Sequence, residues 1–568
     1  MNLSPITLDI LATEKIILVA TMIVVFFLIV KRTRKPLYFS AVLAVSLATF
    51  SLVLLTPQST MFWGNNGDEL YIGSFMTQVV NGDFGSDFYY SNLPAFYPPL
   101  YFWVVGFIAQ PFASNGLAAY KIGVVLSSLV LFLGTFLWFK LHDKKSRDAL
   151  LNPWLYLLIP LSFLTLLPFD EFILKPHEAL SALLSVILVG AIGVQFQKER
   201  WRIYHVVLYS ISGAAILMTY YFWGVLIAPT LLMLIYLSRN KLHNSIHLLQ
   251  LGALILLLAS PYIIPLFQSI QTHGIDLAQG TYFSIHDVLT FTPWTDGGLR
   301  ALFSFAGLAG LIVARKNRFF LSVLILYVVS YLYQTLGLMQ FLQDASPLLP
   351  SKPFLYLGRA CLAVGLGYVV LESYYYISHR FGRSAQFSGI ALGIVLITSL
   401  SPYVDLIDNP GMIDRINQNT LVPKEFILAE EIKTHVPDYT DRIWLAPTRP
   451  EINTYLPLNY YIAHNEHYSH FAAGFSDRLE TIEMMASSTT AGEFFEIAQA
   501  VEPPIDSLLL FYDEERDVYP LNFWIDDYPN GGTSYTIDLN PELIDETHWN
   551  TLYDEWNWRI LTIDKLGD

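Results

Sequence analysis

The feature that most constrains this chain is a series of apolar runs of about 17–22 residues, the length that crosses a bilayer core as a helix. They lie near 15–31, 38–56, 118–140, 150–168, 179–195, 203–219, 221–237, 247–267, 298–314, 319–337, 358–378 and 386–403. In lipid, backbone polar groups must be satisfied internally, so such a chain is expected to form a polytopic α-helical bundle of about twelve transmembrane helices. Only 14% of its residues are charged, well below the roughly 25% usual in soluble domains.

Charge divides the chain into two bodies. Residues 404–568 hold 31 acidic and 9 basic side chains, a net of −22, whereas residues 1–403 carry +7. The expected domains are therefore a membrane domain, 1–403, and an acidic domain, 404–568. The acidity of the second argues against nucleic acid as a partner. The single cysteine, Cys361, excludes a disulfide framework and a cysteine-built zinc site.

Alternate junctions between the apolar runs are basic: 31–35, 144–147, 198–202, 239–241, 315–318 and 379–383. The positive-inside rule puts all six on the cytoplasmic side. Twelve spans then leave the N-terminus and the acidic domain outside, at the plasma membrane. Asp9 and Glu14 precede the first run, and no basic stretch marks a cleavable signal. Residues 98–112 are apolar but begin at Pro98-Pro99 and include Pro111. As a further span they would reverse every later basic loop, so they are expected as an interfacial helix on the outer leaflet. The loop 57–117 thereby becomes one long external structure, of the kind that carries function. The tail mixes strand-like runs (443–446, 507–512, 558–563) with a helical run near 478–486 and a turn at Asn530-Gly531-Gly532, which implies an extracytoplasmic α+β domain.

Asp68 and Glu69 sit in the external loop just beyond the second span. A carboxylate there can act as general base on a hydroxyl, although Gly67-Asp68 also reads as an ordinary helix N-terminus. Lys175 and His177 lie between the fourth and fifth spans, and Lys352 and Arg359 at the outer end of the eleventh. Cations at these places suit a phosphate group, against the plainer reading of snorkelling side chains. His286-Asp287 and Phe291–Trp294 could form a lid, or an aromatic belt. Residues 220–223 read as an interfacial aromatic anchor. His467 and His470 have the i, i+3 spacing of a metal pair but lack a third ligand nearby.

A span, an Asp-Glu pair, an amphipathic helix, a Pro-Pro-aromatic helix and another span resemble the opening of the GT-C glycosyltransferases. Phe96-Tyr97-Pro98-Pro99 with its following aromatics resembles the actinobacterial galactan arabinofuranosyltransferase family. The segment from His467 to Arg478 and the Asp526-Asp527-Tyr528-Pro529-Asn530 turn resemble that family's tail motifs. Phe471 stands where the family pattern has proline, and Glu69 and Leu100 where it has glutamine and glycine.

The resemblance implies a GT-C fold and an inverting transfer of arabinofuranose from a decaprenyl-phosphoryl donor to a galactan-like polysaccharide. Asp68 would be the base, with Glu69 and Tyr97 in support. Lys175, His177, Arg359 and Lys352 would hold the donor phosphate, and His470, Arg478 and Trp63 the acceptor. No cofactor is implied, and a divalent metal is left open. The alternatives are a GT-C enzyme using a polyprenyl-phosphate hexose such as mannose, and a non-catalytic transporter or receptor with an external sensor domain.

Overall fold

The structure is a computed structural model that describes residues 3–31, 35–144, 150–198, 201–274, 289–343, 354–380, 409–527 and 530–563. In the first half, α1 (Pro5–Val30) and α2 (Pro36–Leu55) pair as spans. A long loop follows, carrying α3 (Asp68–Val80) and α4 (Leu100–Ala109). The third span runs from α5 (Gly116–Leu129) through a five-residue π turn, Val130–Gly134, into α6 (Thr135–Lys144). Next come α7 (Leu155–Leu166), the short α8 (Phe169–Leu174), α9 (Pro176–Gln195), α10 (Ile203–Tyr220), α11 (Trp223–Tyr236) and α12 (Lys241–His273). The remaining membrane helices are α13 (Gly298–Ala314), α14 (Arg318–Leu342) and α15 (Phe354–Arg380).

The first eleven expected spans each coincide with helix. Among the described residues eight helices are long and apolar enough to cross a membrane, whereas α7, α11 and α13 are apolar but shorter. The run 150–168 yields a helix of only 12 residues, because Pro153 and Pro168 force their predecessors out of helical geometry. Leu167, before Pro168, is extended at φ −88° and ψ 128°. The twelfth run, 386–403, and the domain boundary at 403/404 lie outside the described residues. At 10 residues, α4 is about 15 Å long and cannot span.

The tail opens with α16 (Pro410–Asn419) and α17 (Lys424–His435). Its strands are β1 (Ile443–Leu445), β2 (Asn459–Tyr460), β3 (Ser507–Phe511), β4 (Tyr519–Ile525), β5 (Thr533–Leu539), β6 (Asn550–Glu555) and β7 (Trp558–Thr562). Helices α18 (Phe475–Ala486) and α19 (Ala491–Ala500) lie between β2 and β3. One sheet has the order β2-β1-β3-β7-β6, and β4-β5 form a separate hairpin joined through the expected turn. Strand β3 is an uninterrupted apolar run because both its faces are covered. Leu508 and Leu510 pack with Ile482 and Phe494 of α18 and α19. Leu509 faces the other way, into a core that continues through Trp444 and Tyr455 to Phe62, Tyr71 and Phe75 of the loop that carries α3. Loop and tail are thus built as one body.

Candidate active site

Gly64, Asn65 and Gly67 all take positive φ (79°, 58° and 57°), so residues 61–69 form a tight knot ahead of α3. The Asn65 side chain accepts the Met61 N–H at 2.8 Å and donates to the Tyr455 hydroxyl at 2.7 Å, which holds a non-glycine residue in that conformation. Glu69 is fully buried, and its two oxygens accept the N–H groups of Trp63 (2.8 Å) and Asn65 (2.9 Å). Burial pushes its pKa up to about 8, against the opposing pull of those two hydrogen bonds and of Arg415. The Arg415 guanidinium lies 3.4 Å over the Trp63 ring. Glu69 and Trp63 therefore help shape the knot, and the two adjacent carboxylates have different partners.

Asp68 is the first residue of α3, where the helix N-terminus favours an anion. It ion-pairs with Lys175 through one oxygen and accepts the Tyr468 hydroxyl at 2.9 Å through the other. Lys175 precedes Pro176, so the chain breaks between α8 and α9 at this residue (φ −130°, ψ 62°). Its ammonium is 5% exposed and also lies 3.6 Å from Glu178. Tyr97 accepts the Tyr71 hydroxyl at 3.0 Å and stands 3.3 Å from His177 Nε2. The Tyr71 ring is packed between those of Tyr97 (4.6 Å) and Tyr468 (5.4 Å). Four of the sequence-derived candidates, Asp68, Tyr97, Lys175 and His177, are thus brought together from three segments. Helix α3 reaches this place because Gly116 lets α5 approach it closely: a Cβ there would lie 2.1 Å from the Gly73 carbonyl oxygen.

Arg359 makes an ion pair of its own, with Asp296. It is buried in α15 and donates to Asp296 at 3.1 Å, and Asp296 also accepts the Ser304 hydroxyl at 2.6 Å. Its Nε and Nη1 are buried without hydrogen-bond partners among the described residues. One helical turn earlier, Tyr356 donates to Glu171 at 2.9 Å. Lys352 and His286-Asp287 fall outside the described residues.

His470 and Arg478 brace the tail against the loop. His470 Nε2 donates to the Pro94 carbonyl (3.0 Å), while its Nδ1 accepts the Ala472 N–H (3.0 Å). Arg478 donates to the carbonyls of Ala473 and Tyr461 and lies 5.1 Å from the centre of the Tyr90 ring. Trp223 is fully buried with its indole on Ser181, a packing role, whereas Trp294 is 65% exposed, as in an aromatic belt. Sequence reasoning missed Tyr468 and Asp296 as site members. Tyr468 stood within the quoted tail segment, but nothing local ties it to a carboxylate 400 residues away. Among the described residues no group of three or more ligand-type side chains could hold a metal ion.

A cleft of about 330 Å³ opens beside the site between the loop and α12, lined by Phe84, Pro94, Trp103, Pro261, Tyr262 and Pro265. It is joined to the site through Phe96, whose carbonyl accepts the Tyr262 hydroxyl at 2.7 Å.

Residues 4–350 match the family model described as arabinofuranosyltransferase N terminal. No curated protein matches the chain. Among solved structures, ArnT from Cupriavidus metallidurans bound to undecaprenyl phosphate is similar at a TM-score of 0.54 and 13% identity, covering 93% of this chain and 98% of that one. Its apo state gives 0.52 and 12%, covering 92% and 97%. These likenesses establish the GT-C fold.

Proposed function

The chain belongs to the arabinofuranosyltransferase family, and on that premise we propose that it moves arabinofuranose from a polyprenyl-phosphoryl donor to a galactan-like glycan on the outer face of the membrane. The observation that carries this reading is Asp68, held between a buried lysine and a tyrosine hydroxyl at the head of α3. The undecaprenyl phosphate bound by ArnT supports a polyprenyl carrier.

Asp68 accepts the proton of an acceptor hydroxyl, whose oxygen bonds to the anomeric carbon as the bond from that carbon to the phosphate oxygen breaks. The electron pair leaves on the polyprenyl phosphate from the opposite face, so configuration inverts. Phosphate leaves without a general acid, and one carboxylate suffices, unlike the pair that a glycoside hydrolase uses. Lys175 offsets the charge developing on the leaving group, and Arg359, with two unpartnered nitrogens, supplies a second cation. When the phosphodiester draws Lys175 toward itself, Asp68 loses its counter-ion, and its proton affinity rises as the acceptor must be deprotonated. The cleft beside α12 offers the isoprenoid chain an apolar path from the site.

Membranes supplied with labelled polyprenyl-phosphoryl arabinofuranose and, separately, mannose test the reading. Label should pass to a galactofuranosyl acceptor from the pentose donor only. Asp68→Asn should bind donor but transfer about 10²–10⁴-fold more slowly. Transfer at the wild-type rate removes Asp68 as the base, and transfer from mannose favours the hexose alternative.

A further inference from the structure

Beyond Tyr468 the tail carries a second polar constellation that the transfer site does not use. Glu466, His467 and Tyr468 form a single 3₁₀ turn, capped by the Asn465 side chain, which accepts the His467 N–H at 2.8 Å. The end of β4 is fastened to this turn. Trp524 N–H donates to the His464 carbonyl (2.8 Å) and Asp526 N–H to Glu466 Oε2 (3.1 Å). Two carboxylates, Glu466 and Asp526, are thus held side by side, with His467 Nδ1 3.9 Å from Asp526.

The Asp526 side chain is 0% exposed, yet neither of its oxygens has a hydrogen-bond partner among the described residues. Burial, with the nearby charge of Glu466, pushes its pKa up to about 8. Buried carboxyl oxygens are normally satisfied, so this one is incomplete without a donor from elsewhere. Next to it, Trp524 is 40% exposed. The hairpin closes on one edge of its indole at Gly532, where a Cβ would lie 2.2 Å from Nε1. The ring is pinned on that edge and open to solvent elsewhere.

Carboxyl acceptors beside a fixed, open aromatic ring match the chemistry of a sugar. Its hydroxyls donate to carboxyl oxygens, and its C–H face stacks on an indole. A cation is the poorer match, because among the described residues no group of three or more ligand-type side chains, Glu466, His467 and Asp526 included, is placed to hold a metal ion. A net charge of −22 on residues 404–568 disfavours an anionic polymer. The constellation is also wired to the transfer site, since Tyr468 of the same turn donates to Asp68.

We propose that Glu466, Asp526 and Trp524 form a binding subsite for a neutral acceptor glycan, gripping sugar units beyond the one that receives the transfer; this rests on the glycosyltransfer reading above. The test uses the full chain in nanodiscs and a short radiolabelled galactofuranosyl oligosaccharide in equilibrium binding. Asp526→Ala and Trp524→Ala should each weaken binding on the order of tenfold, the loss of one or two desolvated contacts, and raise the acceptor KM with little change in kcat. Trp524→Phe should retain most of the affinity. Unchanged affinity in variants of wild-type thermal stability overturns the proposal. So does binding of calcium chloride that the same substitutions abolish, because the cluster is then a cation site. Failure of the transfer reading looks different: the wild type would bind the oligosaccharide through these residues and add no sugar to it, leaving the subsite standing.

Discussion

Lys175 is charged, buried and shared between Asp68 and Glu178, so its removal takes the same cation from both carboxylates. Lys175→Met should raise the donor KM and lower kcat together, by about 10²–10³ in kcat, the loss typical of one group that stabilises transition-state charge. Lys175→Arg should recover part of the loss, measured in the same assay with purified protein. Glu69 behaves differently. Its folded pKa of about 8 lies above the ordinary glutamate value of 4.5, so the native state keeps a proton that the unfolded chain releases. Its stabilising contribution is full below about pH 4.5 and is lost as pH rises through about 8. Glu69→Gln removes that titration, and the slope of thermal midpoint against pH in this window should flatten. Asp68 and Lys175 were legible in the sequence because each lies at a break between apolar runs, where a charge has a reason to be. The scaffolding role of Glu69 was not, because it depends on two backbone N–H groups that turn toward it only when the knot closes.

Helix α3 is placed by its contacts rather than by its own pattern. Gly116 gives it room against α5, and Thr77 fastens both neighbours, accepting the Gly116 N–H and donating to the Thr454 carbonyl at 2.9 Å. Gly116→Val should push the two helices apart at a cost of about 1–3 kcal/mol, the usual penalty of overpacking, and activity should fall with the thermal midpoint. The loop 83–95 is held from outside the membrane by His470. Burial pushes the His470 pKa down to about 4 from 6.5, and the neutral ring both donates and accepts. The unfolded chain therefore takes up the proton first on acidification. The contribution of this brace is full above about pH 6.5 and lost as pH falls toward 4. His470→Asn keeps a donor and an acceptor without titrating, so its thermal midpoint should fall less than that of the wild type between pH 7 and pH 4.5. The short α4 and the β4-β5 hairpin were readable from proline and glycine positions. The shortness of α7 was not read, because hydropathy alone ignores the prolines that bracket it.

At the scale of the molecule, hydropathy gives the order of the helical spans, and from the basic junctions we propose an orientation in which loop 57–117 and the tail face outward. The only cysteine, Cys361, is buried, so introduced cysteines report without background. On intact cells a membrane-impermeant maleimide should label Asn530→Cys and leave Arg239→Cys unlabelled until the cells are opened; the reverse pattern inverts the proposed orientation. Charge divides the chain near residue 404, yet the hydrophobic core runs on from loop to tail. Net charge reports what faces water and says nothing of buried contacts such as Asn419, whose amide donates to Gln58, Met61 and Phe62. That continuity bears on how the protein is made. Asp68 meets Tyr468 across 400 residues, a distance that translation at about 5–20 residues per second covers in about 20–80 s. Through that interval the inserted loop has neither its tyrosine nor its buttress, and the proposed catalytic centre is complete only once the segment bearing Tyr468 has been made.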